Sequence, residues 1–196
     1  MRNRKGLFSG FVAALLVMGG LLFQHGDVSA ATLKSRVELR LHATLANAVG
    51  LSKAEAPLES ITAQTFANGT GAGQANVIWS ARRTVNASTT EDLDFAGGGL
   101  TDAFGVAVAP AKIRAVIITS SIANVQNMTL FGDANSVPLL NTAATTVTLQ
   151  PGGMYVFTAP ATAGVAVTAA TGDIIQVANG AGVAITYDIV VIGTSS

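Results

Sequence analysis

Turn-forming residues punctuate this chain so regularly that little besides short strands fits between them. Asn68-Gly69-Thr70-Gly71-Ala72-Gly73, Gly97-Gly98-Gly99, Gly132-Asp133, Val137-Pro138, Pro151-Gly152-Gly153, Thr171-Gly172-Asp173 and Asn179-Gly180 supply cheap positive φ or fixed bends. The pieces between them are rich in Val, Ile, Thr and Phe. They predict strands at 58–66, 75–85, 93–95, 113–120, 126–131, 145–149, 154–158, 165–168, 173–178 and 183–192. Turns every ~8–12 residues, with no long amphipathic helix in the second half, point to antiparallel sheets rather than a parallel βαβ sheet. The expected fold is all-β, an antiparallel β-sandwich of the jelly-roll kind, spanning 58–196.

Ahead of it lies a different pattern. Val37, Leu39, Leu41, Ala43 and Leu45 alternate with Glu38, Arg40, His42 and Thr44. Strict period two predicts a strand with one buried face. Leu33, Val37, Leu41 and Leu45 also fit a helical stripe, so a helix competes at this arm. Residues 50–57 read as linker, which makes 31–57 an N-terminal arm or linker. The loop 68–73 reads as a hairpin or wide loop joining 58–66 to 75–85. Its Gly69-x-Gly71-x-Gly73 lacks the spacing, the following helix and the later acidic residue of a phosphate-binding loop.

The first 30 residues read as an address. Arg2, Arg4 and Lys5 precede an apolar run from Leu7 to Phe23, and Val28-Ser29-Ala30 offers small residues for cleavage after Ala30. That order is a secretory signal peptide, with an uncleaved anchor touching the membrane through 7–23 as the alternative. Either form is an N-terminal hydrophobic helix.

Charge narrows the function. Eleven Lys+Arg balance eleven Asp+Glu, and charged residues are 11% of the chain. A nucleic-acid binder needs a basic face, and none is encoded. With no Cys, and His42 the single imidazole after the leader, thiolate chemistry, a Ser-His-Asp set and a histidine zinc site have no residues to use. From 115 to 196 there is no Lys or Arg, and the acidic residues are Asp133, Asp173 and Asp188. A surface so poor in charge favours contact with other protein, as copies of itself or as a capsid or shell protein.

Glu91, Asp92, Asp94 and Asp102 form the densest carboxylate group and are the candidate calcium ligands. They do not follow EF-hand spacing, and a loop of local Asx turns is the plainer reading. Paired carboxylates also serve glycoside hydrolysis, but Trp79 is the sole Trp, and Tyr155 and Tyr187 sit inside strands. No catalytic residue and no cofactor are assigned. Arg82-Arg83 follows Trp79, with one of the two expected to face solvent or the acidic loop 91–94.

Several segments in order resemble a family of phage and prophage virion structural proteins. They are Asn68-Gly-Thr-Gly-Ala-Gly-Gln-Ala-Asn76, Thr90-Glu-Asp-Leu-Asp-Phe-Ala-Gly97, Leu100-Thr-Asp-Ala-Phe-Gly105 and Lys112-Ile-Arg-Ala-Val-Ile-Ile118, then Gln150-Pro-Gly-Gly153, Ala166-Val-Thr-Ala169, Thr171-Gly-Asp173 and Ile185-Thr-Tyr-Asp-Ile-Val-Val-Ile-Gly193. The resemblance covers roughly 66–193. It implies a small β-rich component that decorates or cements a capsid, without catalytic residues. With the leader, it implies a membrane-associated virion component, a phage-derived domain exported by a bacterium, or a start placed too far upstream. The sequence therefore predicts a non-enzymatic structural protein, virion-borne or extracellular. The competing class is an exported surface- or carbohydrate-binding module.

Overall fold

A computed structural model describes residues 32–49, 52–140, 145–161 and 163–196. The leader, 1–30, and the helix expected there lie outside the described residues. Among those described, twelve strands form and no helix.

Two sheets make the body. In the first, β4 (Val77–Val85), β12 (Ile185–Thr194) and β6 (Lys112–Ser120) lie side by side. β9 (Met154–Thr158) and β10 (Val165–Ala166) share the far edge of β6. The second runs β5 (Thr90–Asp94), β11 (Ile174–Asn179), β7 (Met128–Phe131), β8 (Thr146–Leu149). All pairings within both sheets are antiparallel.

Period-two alternation decides what is buried. The first sheet turns Trp79, Val116, Ile118, Tyr187, Ile189 and Val191 inward. The second contributes Leu93, Met128, Leu130, Ile175 and Val177 to the same hydrophobic cluster. Trp79 meets Phe95 edge-on, with ring centroids 5.6 Å apart. Each fully buried Val, Ile or Leu supplies about 1.5–3 kcal/mol. One kink is sequence-encoded. The β6–β12 ladder slips between Ile192 and Gly193, where a Cβ on Gly193 would stand 2.5 Å from the Lys112 carbonyl oxygen. Only glycine lets the backbones approach so closely.

This topology accounts for much of the charge-poor second half. β6, β12, β11 and β7 are interior strands of their sheets. They have neighbours on both sides and their inward residues fill the core. The charges Arg82, Arg83, Glu91, Asp92 and Asp94 sit on β4 and β5, the edge strands nearer the N-terminus.

The arm departs from the sequence expectation. β1 (Ser35–Val49) pairs antiparallel with β2 (Ser52–Asn68) along its whole length, from Ser35↔Phe66 to Val49↔Ser52. Segment 58–66 is thus the return strand of a long hairpin, not the partner of 75–85 and not the first strand of the body. Residues 52–57, read as linker, extend that strand. Lys, Ala, Glu and Pro are poor strand formers, but an unbroken ladder with β1 overrides local propensity. The helical alternative for 33–45 loses to the same ladder. After β2 the chain makes one short parallel pairing with β3 (Gln74–Ala75) and enters the body.

Among the described residues, the base of the hairpin is its packed part. Val37, Phe66 and Ala75 close over Ala115 and Ile192 on the outer face of the first sheet, with Leu33, Ile117 and Val190 at the margin. All described strands and both clusters fall within one compact unit, Thr32–Ser196. That segment holds the core its own folding requires.

Candidate interaction surface

Directly opposed residues in an antiparallel pair share a face, so the hairpin register sorts its side chains into two sets. One face carries, from base outward, Ser35/Phe66, Val37/Gln64, Leu39/Thr62, Leu41/Ser60, Ala43/Leu58 and Leu45/Ala56. No ionisable residue occurs in these rows. The other face carries Arg36, Glu38, Arg40, His42, Glu55 and Glu59. On it Glu38 pairs with Arg36 at 2.6 Å and with Arg40 at 3.2 Å.

The apolar face begins inside the protein and ends outside it. Phe66 is wholly buried and Val37 nearly so, yet Leu39 is 56% exposed, Leu41 51%, Leu45 77% and Leu58 55%. The period-two pattern at 37–45 forecast a strand with one buried face. The strand is there, but beyond Val37 its apolar residues stand exposed among the described residues. An isolated two-stranded hairpin is marginal in water, and a bare row of leucines adds to the deficit. Further apolar side chains stand out on the body: Ile122, Val125, Met154, Val156 and Val183, together with Phe104 in the loop after β5.

The four acidic candidates are each engaged locally. Glu91 accepts the Tyr187 hydroxyl at 2.8 Å and Arg83 Nε at 2.9 Å. Asp92 accepts Gln176 Nε2 at 2.8 Å. Asp94 takes the amides of Ala96 and Gly97, and Asp102 those of Phe104 and Val106. The last two are the Asx turns that a Gly-rich loop favours. Among the described residues no group of three or more acidic or imidazole side chains is placed to hold a metal.

Glu91 has a structural role that its neighbours lack. It lies on the second sheet, while Arg83 and Tyr187 lie on the first, so their hydrogen bonds tie the two sheets together. Burial first, and then the bond to Glu91, hold the Tyr187 phenol well above the usual tyrosine range. Arg83 is therefore the arginine that meets the acidic loop. Arg82 points outward to a partner the sequence did not reveal, Asp188, at 2.7 Å and 2.8 Å. That contact holds the Asp188 carboxyl below its ordinary value. The pair borders a shallow hollow of about 490 Å³ with Thr119, Ile122, Gly152 and Thr186.

Sequence reasoning also passed over Arg114. It is fully buried and donates to the carbonyls of Thr70 and Gly71 at 3.1 Å and 3.2 Å. With Gln74 accepting the Gly71 amide, it fixes the Gly-rich loop as the connector from arm to body. The apolar run of β6 hid it: Arg114 is flanked by Ile113, Ala115 and Val116, all of them buried. The bare arm face was missed for another reason: alternation announces a face to be covered but not what covers it. The architecture so defined is an all-β body bearing an amphipathic hairpin. No family model, no curated protein and no solved structure matches this chain.

Proposed function

We propose that this protein is a non-enzymatic structural component that works by packing against neighbouring protein, as a capsid-decoration or shell-type subunit does. The observation that carries the reading is the uncharged leucine face of the hairpin, continuous with the core at Phe66 and Val37 and bare beyond them. Two antiparallel sheets contributing to one core support a jelly-roll-like sandwich as the platform for that arm. The resemblance of 66–193 to phage virion proteins supports the same class, and the leader supports export or membrane delivery before assembly. Standard interfaces bury about 1,600 Å² in total, within reach of the arm together with the outer sheet face.

The carbohydrate-binding alternative is weaker. Sugar sites use aromatic platforms, and among the described residues Phe104 is the one exposed aromatic ring. Light scattering coupled to size exclusion, on the full chain and on 32–196, tests the assembly reading. Masses of two or more chains support it. A strictly monomeric, highly soluble species at high concentration overturns it.

A further inference from the structure

We infer that Asn68 is a site of covalent modification: its side-chain amide closes on the Gly69 nitrogen and is converted to isoaspartate and aspartate. The tripeptide Ala-Asn-Gly occurs twice in this chain, at 67–69 and at 178–180. Local sequence is therefore matched at the two sites, and the fold separates them.

The later site is locked. Asn179 is 6% exposed, and its Nδ2 donates to the carbonyls of Val85 at 3.0 Å, Asn86 at 3.1 Å and Val183 at 2.9 Å. Its Oδ1 is buried and meets no donor among the described residues. Ring closure there has to expel an amine held by three acceptors and build negative charge on an oxygen without a donor. Asn68 is arranged the other way round. It is exposed at the end of β2, within reach of water. Its Oδ1 accepts the backbone N–H of Leu33 at 3.1 Å. A donor on that oxygen draws electrons from Cγ and meets the negative charge that develops during attack. The attacking group is loosely held: the Gly69 N–H donates to the Ala75 carbonyl at 3.3 Å, beyond the usual N–H···O range of about 2.7–3.2 Å. Gly69 has φ +136°, and a Cβ on it would stand 2.4 Å from Gln74 Oε1. The loop thus demands the unobstructed residue that leaves Asn68 open to attack.

The reaction needs only water. The Gly69 nitrogen bonds to Asn68 Cγ and gives up its proton, the Cγ–Nδ2 bond breaks, and Nδ2 departs as ammonia. Water then opens the succinimide at either carbonyl carbon, leaving aspartate or isoaspartate, with nothing oxidised or reduced. The position gives the change a structural consequence. Asn68 pairs with Ala75 in the short parallel ladder between β2 and β3, and its bond to Leu33 closes the base of the arm. Isoaspartate inserts an additional methylene into the backbone at this joint. The base of the arm loosens, while the strands of the body, which pair elsewhere, keep their ladders.

Peptide mapping by mass spectrometry, on the full chain and on 32–196 aged at mildly alkaline pH, tests the assignment. Isoaspartate and aspartate are expected at 68, with conversion at 179 slower on the order of tenfold or more, because its hydrogen bonds must open first. In urea that unfolds the chain, the two rates are expected to converge. Leu33→Pro removes the N–H that Asn68 Oδ1 accepts and is expected to slow conversion at 68 about fivefold, the worth of one ordinary hydrogen bond. Hydrogen exchange of the aged, folded protein is expected to rise at 33–37 and 66–68 and to hold on β6 and β12. An Asn68 that stays intact, an Asn179 that converts as fast in the folded chain, or a gap between the two that persists in urea refutes the inference. A Leu33→Pro chain that converts at the wild-type rate or faster refutes activation by the Leu33 amide. Unchanged exchange at 33–37 and 66–68 refutes the loosening of the arm.

Discussion

The bond between Tyr187 and Glu91 is the sharpest place to test how the two sheets are held. Tyr187 is fully buried and its hydroxyl has one acceptor, Glu91, at 2.8 Å. Glu91→Ala strands that hydroxyl, which costs about 1–3 kcal/mol. It also removes the partly exposed Arg83 pair, worth at most about 1 kcal/mol. The expected loss is about 2–3 kcal/mol, or roughly 4–12 °C in Tm for a domain of this size. Tyr187→Phe deletes the donor and leaves Glu91 with Arg83, so it should cost only about 1 kcal/mol. The double variant should resemble Glu91→Ala, with a coupling of about 1 kcal/mol.

A pH experiment isolates the phenol. Its folded pKa is raised by burial and by the carboxylate. Its contribution is therefore complete below pH ~10, where the unfolded tyrosine is also protonated, and is lost as pH rises beyond that. Wild type should lose up to about 1.4 kcal/mol per pH unit more than Tyr187→Phe above pH ~10. Urea melts of 32–196 at neutral pH and across the alkaline range measure both effects. Additive single variants, or parallel alkaline slopes, would refute the cross-sheet tie.

Three further outcomes follow from the packing. Val116→Asp puts an unpaired charge at a fully buried position of β6 and should unfold the domain; native-like melting would displace 113–120 from the core. Gly193→Ala drives a methyl against the Lys112 carbonyl and should cost about 1–3 kcal/mol, read by the same urea melts. Because Glu91, Asp92, Asp94 and Asp102 are each engaged by their own partners, calcium and a chelator should give superimposable thermal melts; a rise in Tm with calcium would revive them as ligands.

The sequence by itself determined the strands of the body. Alternation and turn chemistry are local, so the elements near 77–85, 113–120, 154–158 and 185–192 emerge within a few residues of where they were read. It also encoded the alternation of β1, including which residues form the apolar row. Pairing is non-local, and only the tertiary structure decided it. Segment 58–66 alternates equally well whether its partner is β1 or β4, and the fifteen-rung ladder with β1 wins because it satisfies the most backbone groups across the shortest connection. The same holds for charge. A stretch without Lys or Arg reads alike whether it is covered from within or from outside. The core-facing residues of β6, β7, β11 and β12 are buried from within, while the leucines of the arm stand exposed among the described residues.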